Sequence, residues 1–141
     1  MDSFKFDINY REYYQYGKLS NGQSCLIVLT EHKDDLDEYK TYTVGFAIAN
    51  KKKHLRNWLN QESGFSIDSK QTGTAGFEGL IWAYNMLKQF EKEVYGDCNI
   101  VVQGADSRRF RIYEHFLKRE GYIKTKSKRY GWCMRKEIRN D

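Results

Sequence analysis

The residues of this chain best suited to chemistry lie in one short run, Lys70-Gln71-Thr72-Gly73-Thr74-Ala75-Gly76-Phe77-Glu78-Gly79-Leu80. Three glycines and two threonines precede an apolar pattern of helical period. Glycine costs a helix about 1 kcal/mol relative to alanine, so a cluster at a helix start needs a backbone reason. A tight turn is one such reason, and a cradle for a phosphate-bearing ligand is another. A helix amino end presents unpaired N–H groups and the positive end of its dipole, and glycine lets an anion come close. Gly73, Thr74, Ala75 and Gly76 are therefore the candidate anion-holding residues.

A second cluster is Arg108, Arg109 and Arg111, at the expected start of the last helix. Cations in a first helical turn oppose the dipole unless an anion offsets them. Asp106 and Glu114 could balance them internally; a ligand phosphate or a nucleic-acid backbone could do so externally. The wider charge distribution points the same way. Residues 107–141 hold 12 Lys/Arg against 4 Asp/Glu, whereas the whole chain is only +5. A basic carboxyl-terminal third suits an anionic partner, whether nucleic acid, a phosphorylated cofactor or an acidic protein surface, through residues 107–139.

Other chemistries find little support. Cys25, Cys98 and Cys133 lie far apart without CxxC spacing, and His32, His54 and His115 form no metal-binding pattern. No GxSxG surrounds a serine. With 40% hydrophobic, 16% aromatic and 30% charged residues, the composition is that of a globular protein. No apolar run approaches the roughly 20 residues of a membrane span. The start, MDSFKFDINY, has acidic residues where a signal peptide carries basic ones, so a cytoplasmic location is expected.

These residues need elements to hold them. Phe4, Phe6, Ile8 and Tyr10 alternate as one strand extending toward Tyr14. Asn21-Gly22 suits a type I′ turn into a strand at Cys25–Leu29, and Tyr42, Val44, Phe46 and Ile48 alternate as a third strand. Leu55, Trp58 and Leu59 predict a short helix over Lys51–Gln61, with a brief strand at Gly64–Ile67. Phe77, Leu80, Ile81, Tyr84, Leu87, Phe90 and Val94 predict about five turns of helix. Asn99–Val102 reads as a buried strand, Asp106 to Gly121 as a capped helix, and Tyr122–Thr125 with Trp132–Ile138 as a closing hairpin. The expected fold is a single α/β (α+β) domain over residues 1–141: a central mixed sheet, amino-terminal antiparallel strands, two main helices and a carboxyl-terminal hairpin.

The order strand, glycine turn, long helix, strand, helix, hairpin resembles the GNAT-type N-acetyltransferases, and more closely small GNAT-like proteins encoded by bacteriophages. In that family Gln/Arg-x-x-Gly-x-Gly/Ala opens the main helix and its amides hold the pyrophosphate of acetyl-CoA. Lys70-Gln71-Thr72-Gly73-Thr74-Ala75 matches the Gly-x-Ala part, with Lys70 in the first place. Phe116-Leu117-Lys118-Arg119-Glu120-Gly121-Tyr122 looks like the family's Leu-Tyr-x-x-x-Gly-Phe segment. The likeness covers residues 64–138, about half the chain.

It implies acetyl-CoA as cofactor, held by Gly73, Thr74, Ala75 and Gly76, with Arg108 and Arg109 near its 3′-phosphate. The host cytoplasm is the implied location if the source is a phage. The family's general-acid tyrosine falls at Leu117, which carries no proton to give, so Tyr113 one turn earlier is the candidate in its place. Glu62 and Asp68 lie where a general base is often recruited, and the pair of helices usual after the first strand is missing. Two functions follow: an acetyl-CoA-dependent N-acetyltransferase-like protein acting on an amine, or a non-catalytic protein of the same fold that binds a partner through its basic third.

Overall fold

The computed structural model describes residues 4–33, 38–56, 65–67, 76–105 and 110–139, the side chains of 65–67, 76, 77 and 112 excepted. Its strands are β1 (Lys5–Asp7), β2 (Glu12–Lys18), β3 (Ser24–His32), β4 (Lys40–Ala49), β5 (Phe65–Ile67), β6 (Cys98–Gln103), β7 (Ile123–Ser127) and β8 (Gly131–Ile138). Among the described residues its α-helices are α1 (Gly76–Glu93) and α2 (Arg111–Arg119). Seven strands lie in the order β1-β2-β3-β4-β6-β8-β7, and β5 pairs with β4 off that path. The β4–β6 and β4–β5 pairs are parallel; the others are antiparallel. The architecture is thus a mixed α+β sheet with two helices, as the sequence pattern predicts.

The amino-terminal strand corrects the reading from alternation. The chain reverses between Asp7 and Glu12, so Phe4 to Tyr14 forms the hairpin β1–β2 and not one strand. An Asp7 carboxylate oxygen accepts the N–H groups of Asn9 (2.9 Å) and Tyr10 (3.4 Å), and Arg11 takes a left-handed φ of 53°. Aspartate supplies this turn without glycine or proline. Ile8 and Tyr10 consequently sit in the turn at 77% and 68% exposure.

The β2–β3 connection is present, but its type differs from expectation. Gly22 alone has positive φ, at 88°; its N–H donates to Leu19 O at 3.0 Å, while Leu19 N–H donates to Gln23 O at 2.8 Å. This is a type I turn closed by a left-handed glycine, whereas type I′ needs two positive φ values. Of the helix expected over Lys51–Gln61, the described part is a 3-10 turn at Lys52–His54 continuing into Leu55 and Arg56; residues 57–61 lie outside the described set. So do the acidic loop 34–37 and Asp106.

Both helices cover one face of the sheet. On that face Cys25, Ile27 and Leu29 of β3, Tyr42, Val44, Phe46 and Ile48 of β4, and Cys98, Ile100 and Val102 of β6 meet Leu80, Ala83, Leu87 and Phe90 of α1 and Val94 just past its end. The 3.6 period of α1 puts those five on one stripe. The Phe90 ring lies 5.5 Å from Phe4, 5.6 Å from Tyr13 and 5.1 Å from Tyr42, tying α1 to three strands. Phe110, which caps α2, and Tyr113 and Leu117 within it join the same core. Gly121 ends this helix at φ 92°, with Tyr122 N–H on Leu117 O at 3.0 Å and Gly121 N–H on Lys118 O at 3.1 Å, the expected left-handed cap.

The opposite face is divided. Leu26, Val28, Ala47, Ala49 and Leu55 form a second apolar cluster with Tyr14 and Tyr16 against it. Lys52 lies over Tyr16 at 4.3 Å and Arg56 over Tyr14 at 5.4 Å, and Arg56 pairs with the buried Glu12. The rest of that face mixes Thr41, Thr43, Asn99 and Arg135 with the buried Val101 and Cys133.

Candidate functional site

Residue pairings orient α1 against β4. Gly79, near the amino end of α1, abuts Ile48 near the carboxyl end of β4, whereas Phe90 at the other end meets Tyr42. The amino end of α1 therefore opens at the carboxyl end of β4, the place where crevices form in sheets with parallel strands. Gly79 allows this close approach, because a Cβ there would overlap the Ile48 side chain. One turn on, Trp82 lies over Gly17 of β2, where a Cβ would be 2.5 Å from the indole.

At this end β4 loses its continuous neighbour. Its free edge pairs with β6 over Lys40–Thr43 and with β5 over Phe46–Ile48. Val44 and Gly45 belong to neither register. The strands β4 and β6 part after the Thr43–Val101 pair, and β5 takes up the ladder two residues beyond the break.

The expected anion-holding residues can be placed only in part. Gly76 opens α1. Gly73, Thr74, Ala75, Arg108 and Arg109 lie outside the described residues, as do Glu62 and Asp68. Glu78, the first-turn carboxylate, accepts hydrogen bonds from Ser20 N–H at 2.9 Å and Ser20 Oγ at 2.5 Å. The hydroxyl bond, then the backbone bond, hold its carboxyl below the ordinary 4.5.

Tyr113 is 7% exposed, with its ring edge-on to Phe110 at 5.9 Å. Together with Leu80, Tyr84, Leu87, Phe116 and Leu117 it lines a cavity of about 20 Å³ between the helices. That cavity connects Tyr113 to Leu80 in α1, one turn from Gly76. Leu117, at 2% exposure, is a core residue.

A larger groove of about 320 Å³ runs beside that cavity, lined by Leu80, Ile81, Tyr84, Asn85, Lys88, Phe116, Arg119 and Glu120. Sequence reading missed its polar centre. Tyr84 hydrogen-bonds Glu120, and Lys88 lies 3.8 Å from Glu120 and 5.3 Å from the Tyr84 ring. Burial, and then the neighbouring carboxylate, push the Tyr84 hydroxyl well up, so it keeps its proton. Tyr84 appeared in the sequence only as one position of an apolar stripe, and Glu120 is 36 residues further along.

A third concavity, about 310 Å³, lies on the open face of the sheet. It is lined by Thr41, Asn99, Val101, Thr125 and Cys133 and by the basic residues Lys126, Lys128, Arg129 and Arg135. Nearby, His32 on β3 shares a hydrogen bond with Thr43 Oγ1 at 2.9 Å and lies edge-on to Tyr130 at 6.1 Å. Burial, then the Arg129 charge, lower its pKa below 6.5. Part of this was legible as the basic third of the chain.

Burial pushes the Cys25 thiol up to about 12 and Cys98 to about 11, and it raises Cys133 as well, so each favours the protonated thiol. Among the described residues no three metal-binding side chains converge, and no helix is long and apolar enough to cross a membrane. No family model, curated protein or solved structure matches the chain.

Proposed function

We propose that this protein is a GNAT-like acyltransferase that takes acetyl-CoA at the amino end of α1 and passes the acetyl group to an amine. One observation carries the reading: the edge of β4 away from β3 is shared between β6 and β5, leaving Val44 and Gly45 out of both ladders midway along the strand, whose carboxyl end lies against the start of α1. A crevice at the carboxyl ends of diverging parallel strands, facing a helix amino end, suits an anion-bearing ligand. Gly73, Thr74, Ala75 and Gly76 would hold the diphosphate through backbone N–H groups, and Arg108 and Arg109 the 3′-phosphate. Acetyl-CoA, when bound, supplies an activated acyl thioester.

β5 narrows the room, because it already pairs with β4 over Phe46–Ile48. The backbone of β4 left outside both ladders on that edge is the two-residue break beside Thr43. The chain's own contribution is positioning, which supplies up to about 7–11 kcal/mol of a barrier when the geometry is tight. Leu117 carries no proton and Tyr113 is enclosed in the core, so transfer runs without the efficiency of an aligned general acid, a factor of about 10²–10⁴.

Calorimetric titration with CoA and acetyl-CoA tests this, with Gly73→Trp as the blocking control. Saturable binding that the control removes is expected; no heat at millimolar CoA overturns the reading. The second function, a binding protein of this fold without transfer, is favoured by Leu117 and by the basic hairpin; CoA binding without turnover over a panel of amines would select it.

A further inference from the structure

The groove between α1 and α2 plays no part in acetyl-CoA binding as proposed above, yet its residues are laid out as a ligand site would be. The two helices run side by side in the same direction, because Tyr84 meets Phe116 at 5.9 Å and, one turn on, Lys88 lies 3.8 Å from Glu120. From Leu80 to Lys88 the groove follows α1 for about 12 Å, at about 1.5 Å of rise per residue. Its volume of about 320 Å³ falls within the range of roughly 300–1,000 Å³ that small-molecule sites occupy.

The two ends of the groove differ in chemistry. At one, Leu80, Ile81 and the Phe116 ring form an apolar wall on which Ile81 is left 42% exposed. Leu80, Tyr84 and Phe116 also line the 20 Å³ cavity behind that wall, so its apolar surface continues inward. At the other end are Lys88, Arg119 and Glu120. The Tyr84 hydrogen bond is the main cause that keeps the Glu120 carboxyl below the ordinary 4.5, so it stays ionised and offsets Lys88. Arg119 makes no ion pair or hydrogen bond among the described residues, and on the α1 side the Asn85 amide makes none either. One positive charge is therefore left over, carried by a planar group whose paired donors match a carboxylate. An amine would meet Lys88 and Arg119 as like charges, and a phosphate monoester would bring nearly two charges to a groove with one to spare.

We infer that the groove between α1 and α2 binds a small amphipathic carboxylate, with Arg119 and the Asn85 amide donating to the carboxylate and the apolar body lying along Leu80, Ile81 and Phe116. NMR titration of the full chain with hexanoate, heptanoate and octanoate tests it, read at the Ile81 methyl groups and the Asn85 side-chain amide. Saturable shifts are expected there, with the dissociation constant falling about two- to four-fold for each added methylene as more of the apolar wall is covered. Arg119→Gln should weaken octanoate binding about two- to five-fold, the worth of an exposed ion pair, and leave octanol binding unchanged. Ile81→Ala should flatten the dependence on chain length. Both side chains are exposed, so far-UV circular dichroism of the variants should match the parent.

Octylamine binding as tightly as octanoate, equal affinity along the chain-length series, or octanoate binding that Arg119→Gln leaves untouched overturns the inference. So does an absence of saturable shifts at millimolar octanoate. Gly73→Trp, which blocks the proposed diphosphate seat, should bind octanoate as the parent does. Loss of octanoate binding in that variant would put the carboxylate at the diphosphate seat and overturn the assignment to the groove, whereas failure of CoA to bind leaves the groove result standing.

Discussion

Replacing Gly79 by alanine separates two opposing effects of known size. Within a helix alanine is favoured over glycine by about 1 kcal/mol, so in isolation Gly79→Ala would stabilise α1. Against β4 it meets Ile48: the added Cβ would overlap Cδ1, lie 3.2 Å from Cγ1 and 3.5 Å from Leu19 Cδ1. Ile48 is 1% exposed and cannot swing away without disturbing the core. Overpacking of this kind costs about 1–3 kcal/mol. The net expectation is a loss of about 1 kcal/mol where helix propensity alone predicts a gain. Ile48→Val removes Cδ1, the overlapping atom, at about 1 kcal/mol on its own. In that background Gly79→Ala should turn neutral or stabilising, giving a coupling of about 1–3 kcal/mol between the two sites. Urea unfolding of the four proteins measures the cycle, and a 1 kcal/mol change moves the midpoint by about 0.5 M. Equal effects of Gly79→Ala in both backgrounds, or stabilisation of the parent, would refute the contact that seats the helix mouth on β4.

Two further outcomes concern charge. His32 titrates below 6.5, so its contribution to stability is full above 6.5 and is lost as pH falls through the lowered folded value; Arg129→Gln should move the His32 proton NMR titration back upward, but short of 6.5, because burial is the larger cause. Glu78 is held below 4.5 by Ser20, so the stability advantage of the parent over Glu78→Gln should be present above 4.5 and vanish as pH falls through the lowered value in acid unfolding. The same substitution removes a negative charge beside the proposed diphosphate seat and should tighten CoA binding about two- to five-fold by calorimetry.

How much of this could be read from the chain depends on how local the cause is. The stripe Leu80, Leu87, Phe90 and Val94 fixes α1 because its period is a property of neighbouring turns, and Gly121 marks the end of α2 because left-handed backbone favours glycine. Alternation failed at Phe4–Tyr10 because it continues across the turn: Ile8 and Tyr10 keep the rhythm while standing in solvent. The signal there was Asp7, a turn-forming side chain. Strand order was invisible, since nothing in Gly131–Ile138 says that β8 inserts between β6 and β7. The same limit hid the Tyr84–Glu120–Lys88 cluster and the division of the β4 edge, both of which join distant segments.

The open face of the sheet divides along β4. A central strand with a parallel partner is normally apolar on both sides, because a second layer covers each. β4 obeys that rule only over its carboxyl half, where Ala47 and Ala49 join Leu26, Val28 and Leu55. Over its amino half the same face carries Thr41 and Thr43, opposite Asn99 and Val101 of β6. Threonine and asparagine at such positions would leave polar groups to be matched if an apolar layer lay over them, a cost of about 1–3 kcal/mol per unmatched group. Water can match them instead, and Lys128, Arg129 and Arg135 line the same concavity. The change from apolar to polar cover falls at Thr43–Gly45, which is also where β6 and β5 divide the edge of β4. One discontinuity in one strand thus marks both the division of its edge and the change of cover on its open face.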